Sequence, residues 1–198
     1  MTSVQQSIMN FGILMVQGLV NSFGTVIMAA FAAAVKIDSF AYMPVQDFGN
    51  AFSTYVAQNY GAGQTDRMKK GIRSAGLCSA VFGVCISVLV CAFAAPLMGI
   101  FSDPGEGAII AAGVHYLHIE GACYIGIGIL FLLYGYYRAV NQPQMSVILT
   151  IASLGTRVAL AYLLSATPLG VTGIWLSVPI GWALAAIIGI GYYLKKKR

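Results

Sequence analysis

The stretch SAGLCSAVFGVCISVLVCAFAAPLMGI, from Ser74 to Ile100, contains no charged residue. About 20 residues at 1.5 Å rise cross the hydrocarbon core of a bilayer, so this stretch is long enough to span one. Lipid offers no hydrogen bonds to an exposed backbone, and a spanning segment must therefore be a helix or part of a closed barrel. Barrel strands show ten-residue alternation of apolar and polar positions; continuous apolarity selects a helix.

Working outward, five further segments of the same kind are found. The six predicted helices cover about 3–21, 25–58, 68–100, 107–138, 144–165 and 170–194. Between them lie turn-forming clusters: Asn21-Ser22-Phe23-Gly24, Gly61-Ala62-Gly63-Gln64, Ser102-Asp103-Pro104-Gly105, Asn141-Gln142-Pro143 and Thr167-Pro168. The second helix is too long for one straight span, and Pro44 predicts a kink in its middle. The fold class is all-α integral membrane, with residues 1–198 forming one transmembrane domain.

Composition agrees. Charged residues make up 9% of the chain and apolar ones 59%, against about a quarter charged in a soluble domain. The net charge of +5 does not indicate nucleic acid, because the basic residues flank apolar segments and form no aromatic-interleaved basic face. Cys78, Cys85, Cys91 and Cys123 fall inside predicted helices without CxxC spacing, which predicts buried free thiols and no disulfide framework. The amino terminus lacks the basic lead and small-residue site of a cleavable signal peptide. Glycine is abundant, 23 of 198 residues, as expected where small residues let transmembrane helices approach closely. No internal repeat is visible.

Orientation follows from Lys and Arg at the span ends. Arg67, Lys69, Lys70, Arg73, Arg138 and the closing Lys195-Lys196-Lys197-Arg198 all fall on one side of a six-span arrangement, and the other side carries Asp103 and Glu106. Both termini are predicted to be cytoplasmic, in the plasma (inner) membrane. A miscount of one helix would split the basic clusters across the bilayer.

Charges inside spans are costly and are functional candidates by default. They are Lys36 and Asp38 in the second helix, Glu120 in the fourth and Arg157 in the fifth. Lys36 and Asp38 are two residues apart and point from different faces. Glu120 lies near mid-bilayer depth, where a carboxylate can exchange a proton or hold Na⁺, and Lys36 at comparable depth is its expected partner. The competing reading is a static ion pair that pins two helices. Arg157 is expected to anchor helix packing or to snorkel.

Asn10, Gln17 and Asn21 lie near one face of the first helix, lining a wet cavity or bonding to a neighbouring helix. Tyr42, Tyr116, Tyr124 and Met43 are candidates to receive flat cations through π-faces and sulfur, although interfacial belts and packing also account for membrane tyrosines. His115 and His118 are spaced for a metal, but Glu120 faces elsewhere, so no metal site is expected. Gly61-Ala62-Gly63 precedes no strand and is not a nucleotide loop. No grouping indicates an enzyme or an organic cofactor.

Several motifs, in order, carry a resemblance. Val56-Ala57-Gln58-Asn59-Tyr60-Gly61-Ala62-Gly63, followed by Arg67-Met68-Lys69-Lys70-Gly71, resembles the GQNxGAG…R…K helix-end signature of multidrug and toxin extrusion (MATE) transporters. The Ala-rich run at 29–34 and the mid-helix Pro44 fit the helix that precedes it. Tyr136-Tyr137-Arg138-Ala139-Val140-Asn141-Gln142-Pro143 resembles the family's RGxGxP connection, with Ala139 and Asn141 in place of the glycines. Gln17 to Gly24 resembles the end of the first helix of the carboxy-terminal lobe.

The resemblance implies one six-helix lobe of a twelve-helix transporter. Such a protein would exchange a cationic or amphipathic drug outward for inward Na⁺ or H⁺ by alternating access. The missing partner would be an amino-terminal lobe or a second copy, and the start directly inside a helix favours a fragment. Two alternatives remain at this stage: a lipid-linked saccharide flippase of the same wider superfamily, which predicts a strongly cationic cavity, and a non-transporting membrane remnant.

Overall fold

A computed structural model describes residues 2–103 and 105–196. Pro104, Lys197 and Arg198, which entered the reading of turns and charge above, lie outside the described residues. Within them the chain is helical throughout: α1 (Thr2–Asn21), α2 (Thr25–Gly61), α3 (Thr65–Ala92), α4 (Ala94–Gly99), α5 (Gly107–Gly121), α6 (Tyr124–Ala139), α7 (Pro143–Ser165) and α8 (Val171–Lys196). Eight helical pieces make the six expected spans because two spans are broken. The third breaks at Phe93, since Pro96 has no N–H to offer the Ala92 carbonyl. The fourth breaks between Gly121 and Tyr124, where α5 and α6 meet at a bend of 52°.

The α2, α3, α7 and α8 helices are each long and apolar enough to cross a membrane, and the bent α5–α6 pair, counted as one span, is a fifth. The α1 helix has the length, at 20 residues, but its Ser, Gln and Asn positions dilute its apolarity. The α2 helix continues through Pro44 for 37 residues, about 55 Å at 1.5 Å per residue. It exceeds the hydrocarbon core, so its ends project.

The bundle is packed small-side in. The α3 helix buries Ala75, Ser79, Gly83, Ser87 and Val90 and turns Leu77 (67% exposed), Val81 and Val88 outward. Large apolar side chains are similarly exposed along α1, α2, α7 and α8. In water this would be a solubility failure; against lipid it is the expected exterior. The cysteines follow the same rule, contrary to the expectation of burial. They are free, but Cys78 and Cys85 are exposed on α3, and Cys91 and Cys123 are only half-buried.

Close backbone approach holds the helices together. A methyl at Gly135 of α6 would stand 2.6 Å from the Gly49 carbonyl of α2, and one at Gly181 of α8 would stand 2.6 Å from the Ser153 carbonyl of α7. On α7 and α8 buried hydroxyls find backbone carbonyls: Thr150 donates to the Ser146 carbonyl (2.9 Å) and Ser177 to the Ile174 carbonyl (2.6 Å) within their own helices, and Ser146 donates across to the Tyr134 carbonyl of α6 (3.2 Å). On α3 the buried Ser79 and Ser87 hydroxyls have no such partner among the described residues.

The two family-like motifs are helix stops. Gly63 has φ +67°, and the α2 end is closed by Ala62 N–H to the Gln58 carbonyl (3.0 Å) and Gln64 N–H to the Asn59 carbonyl (2.8 Å). Tyr55 then donates to the Arg67 carbonyl (3.0 Å), tying the stop to the start of α3. At the other motif Asn141 has φ 57°, the left-handed conformation that Gly adopts freely and Asn tolerates. Arg138 there donates to the Asn50 side chain at 3.0 Å.

Gly135→Ala and Gly181→Ala are expected to destabilise the bundle by about 1–3 kcal/mol each, because no flexible side chain can yield. Gly155→Ala, with nothing within 4 Å, is expected to be neutral or slightly stabilising. Thermal unfolding of the detergent-solubilised variants, followed by size-exclusion chromatography, reads the difference; equal behaviour of all three would refute the close-packing account.

Candidate functional site: a buried acid pair

The buried stripe of α2 runs Ala34, Ile37, Asp38, Ala41, Val45, so Asp38 faces the centre of the bundle and is only 2% exposed. Opposite it, α5 delivers Tyr116 and Glu120 on one face, with Glu120 4% exposed. Glu120 lies 13 residues into α5, roughly 20 Å along the helix. The helix ends one residue later. Bonds over three residues, Cys123 N–H to the Glu120 carbonyl (3.0 Å) and Gly126 N–H to the Cys123 carbonyl (2.9 Å), carry the chain around the bend. The bend aims Tyr124, the first residue of α6, at the same spot, where its hydroxyl donates to Asp38 Oδ1. The break therefore brings Glu120 and Tyr124 to one carboxylate.

The side chains of Tyr116 and Glu120 also interact with the Asp38 carboxyl, and the Arg157 charge on α7 acts on both acids. Three buried polar atoms here have no hydrogen-bond partner in the protein: Asp38 Oδ2, Glu120 Oε2 and Arg157 Nε. Buried polar atoms are ordinarily satisfied. Two carboxyl groups and one guanidinium charge thus act on one another within the bundle.

An aromatic wall fixes Tyr116. Phe31 stacks on Trp175 at 5.5 Å and 6°, and Tyr116 sits edge-on to both, at 5.7 Å and 4.9 Å. Phe31 and Trp175 were missed in the sequence reading. Their signal was present: Phe31 is the one large side chain in an alanine run, where the neighbouring backbone can approach, and Trp175 lies at the start of a span rather than in a tyrosine belt.

The expected partnership of Lys36 with Glu120 does not form. Lys36 is exposed on the opposite face of α2, with its ammonium 5.7 Å from the Phe101 ring centroid. The two-residue offset from Asp38 rotates it about 200° around the helix. Arg157, expected to snorkel or merely anchor packing, is the base whose charge acts on both acids; a methyl at Gly181 of α8 would stand 3.5 Å from its Cβ, an ordinary van der Waals contact. Tyr42 is half-buried one turn beyond Asp38 and packs on Phe131 at 6.2 Å.

Asn10, Gln17 and Asn21 do share one face of α1, but it is the exposed face, whereas Gly12, Val16 and Val20 turn inward. Met43 is exposed as well. His115 and His118 are exposed, and His118 Nε2 lies 3.1 Å from the Cys91 carbonyl. Among the described residues no three metal-ligating side chains gather.

The MatE family profile matches residues 2–163. A probable multidrug resistance protein of Bacillus subtilis, YoeA, is 26% identical over 193 residues, covering 96% of this chain and 41% of that protein. An FAD transporter of Shewanella oneidensis is 26% identical over 169 residues, covering 85% of this chain and 36% of the transporter. A solved structure of the MATE transporter ClbM superposes with a TM-score of 0.85 at 25% identity, over 94% of this chain and 43% of that one. A MOP superfamily transporter from Pyrococcus furiosus superposes with a TM-score of 0.91 at 19% identity, over 98% and 44%, which shows the shared fold. The chain thus spans about two fifths of the length of these proteins. Matched by the family profile over most of its length and sharing the fold of solved MATE transporters, this multi-pass membrane chain belongs to the MatE family.

Proposed function

We propose that the chain is the carboxy-terminal six-span lobe of a secondary active exporter. It would act beside an amino-terminal lobe or a second copy, expelling cationic or amphipathic drugs in exchange for Na⁺ or H⁺. The observation that carries this reading is the buried Asp38–Glu120 pair, with one oxygen of each carboxyl and the Arg157 Nε left without a protein partner among the described residues. Two unit charges 4 Å apart interact by about 4 kcal/mol at an effective dielectric of 20. A site with two carboxylates and one guanidinium therefore gains from one further positive charge. A proton or Na⁺ can supply it from one side of the membrane, and a drug cation can draw on the same field from the other. Because one net negative charge serves either but not both, binding of the coupling ion opposes retention of the drug, which is the linkage an antiporter needs. Tyr116 and Tyr124 orient the carboxyls, and no further cofactor is required.

The exposed polar stripe of α1 supports a two-lobe arrangement. Gln17 and Asn21, exposed on that face, gain nothing from facing lipid, whereas a partner lobe across a wet cavity would solvate them. In the proposed setting both termini are cytoplasmic in the plasma membrane, with the basic residues on that side. A saccharide flippase reading requires a cationic cavity; Lys36 is turned outward and Arg157 is outnumbered by the acids. A remnant without transport would show no efflux even when the missing half is supplied.

Joined to a matching first lobe, the chain is expected to restore ethidium efflux in a pump-deficient cell. Glu120→Gln and Asp38→Asn are each expected to lower the initial rate at least tenfold at equal membrane abundance, the loss of roughly 1.4 kcal/mol or more. Unchanged efflux by Glu120→Gln would remove that residue from the mechanism, and no efflux from any joined protein would favour the remnant.

In proteoliposomes holding the joined protein, an imposed Na⁺ gradient or pH gradient is expected to drive dye exchange in the native pair and to fail in Glu120→Gln. Exchange driven equally well in both would show that coupling lies elsewhere.

A further inference from the structure

The end of the bundle that gathers the basic residues also holds a cavity of about 210 Å³ between the ends of four helices. Tyr60 of α2, Lys69 of α3, Tyr136 of α6 and Lys196 of α8 line it, with Gln142 from the turn before α7. Its walls are preformed. Tyr136 packs edge-on against Tyr137 (5.3 Å) and Tyr193 (5.2 Å), Tyr137 packs against Tyr192 (5.9 Å), and the Tyr137 hydroxyl is fastened to the Gly189 carbonyl at 2.6 Å. Tyrosine clusters of this kind lie at headgroup level.

The cavity's chemistry narrows its occupant. Two ammonium groups call for an anion; among the described residues only Lys69 has an acid within ion-pair distance, a surface contact with Asp66 at 3.6 Å. Gln142 Oε1 is buried with no donor, so the occupant also brings a hydroxyl or amine. The volume is below the roughly 300 Å³ at which drug-sized pockets begin, which suits a headgroup better than a cargo molecule. We propose that the cavity binds the headgroup of an anionic phospholipid that carries a hydroxyl, phosphatidylglycerol being the simplest. Lys69 and Lys196 hold the phosphodiester, tyrosine hydroxyls border it, and the headgroup hydroxyl donates to Gln142 Oε1. The lipid thereby bridges the ends of α2, α3, α6 and α8 on one membrane face, independently of the acid pair.

Native mass spectrometry of the detergent-purified chain, with phosphatidylglycerol, phosphatidic acid or phosphatidylethanolamine added, tests this. Phosphatidylglycerol is expected to be retained in preference to phosphatidylethanolamine, and Lys69→Gln with Lys196→Gln to weaken it about tenfold. Lys70→Gln with Lys195→Gln removes the same charge from residues that do not line the cavity and is expected to change retention little. Gln142→Leu is expected to remove the preference for phosphatidylglycerol over phosphatidic acid, which lacks the hydroxyl-bearing group, while leaving phosphatidic acid bound. Equal losses in the two double variants would reduce the effect to general surface charge and overturn the site. Displacement of the lipid by equimolar inorganic phosphate would assign the cavity to a free anion and overturn the lipid assignment.

Discussion

Lipid outside and close backbone contact inside are the constraint on which this structure depends. In water, burying large apolar side chains holds a fold together; in a bilayer, leucine gains little by leaving one apolar surroundings for another. The α3 helix shows the consequence. Its Ala75-Ser79-Gly83-Ser87 edge faces the bundle and its Leu77, Val81 and Val88 edge faces out. Gly49 against Gly135, and Gly181 against the Ser153 carbonyl, bring helices within reach of each other's backbone. Dispersion over such contacts, with interhelical bonds such as Ser146 to the Tyr134 carbonyl, then supplies the cohesion that burial from water would supply elsewhere.

That packing is what places two acids where acids are costly. A continuous helix over 107–138 would carry Glu120 and Tyr124 on adjacent turns of one axis. The 52° bend after Gly121 lets α5 and α6 approach α2 from two directions, and Asp38 meets both residues. The aromatic wall of Phe31, Tyr116 and Trp175 closes the apolar side. Arg157 enters from α7, whose position is set by the close fit of α8 at Gly181. The proposed coupling chemistry thus rests on helix packing rather than on a loop.

Much of this was legible beforehand, for identifiable reasons. Span number and class follow from apolar length, which a bilayer imposes directly. Turn positions were marked by Gly and Asn, and Gly63 and Asn141 prove to be the left-handed residues that end two helices. Asp38 and Glu120 stood out because charge within a span is rare. The partner of the acids was not legible. Lys36 shares a helix with Asp38, but the 100° turn per residue sends it outward, while Arg157, distant in sequence, is brought in by tertiary packing. The two helix breaks were also unread: Pro96 removes a single hydrogen bond inside a run with no charged residue, and no proline marks the bend after Gly121. The cysteines were misjudged because burial of thiols is a rule for water-soluble interiors, and here the exterior is equally apolar.

The exposed thiols of α3 offer the most direct test of this inverted arrangement. Cys78 and Cys85 face away from the bundle, at positions that the account immerses in lipid tails. On open membranes a charged, membrane-impermeant maleimide is predicted to leave both unmodified until the protein is denatured in sodium dodecyl sulfate, after which both label fully. Rapid labelling of either thiol in intact membranes would place that face of α3 in water and contradict the account.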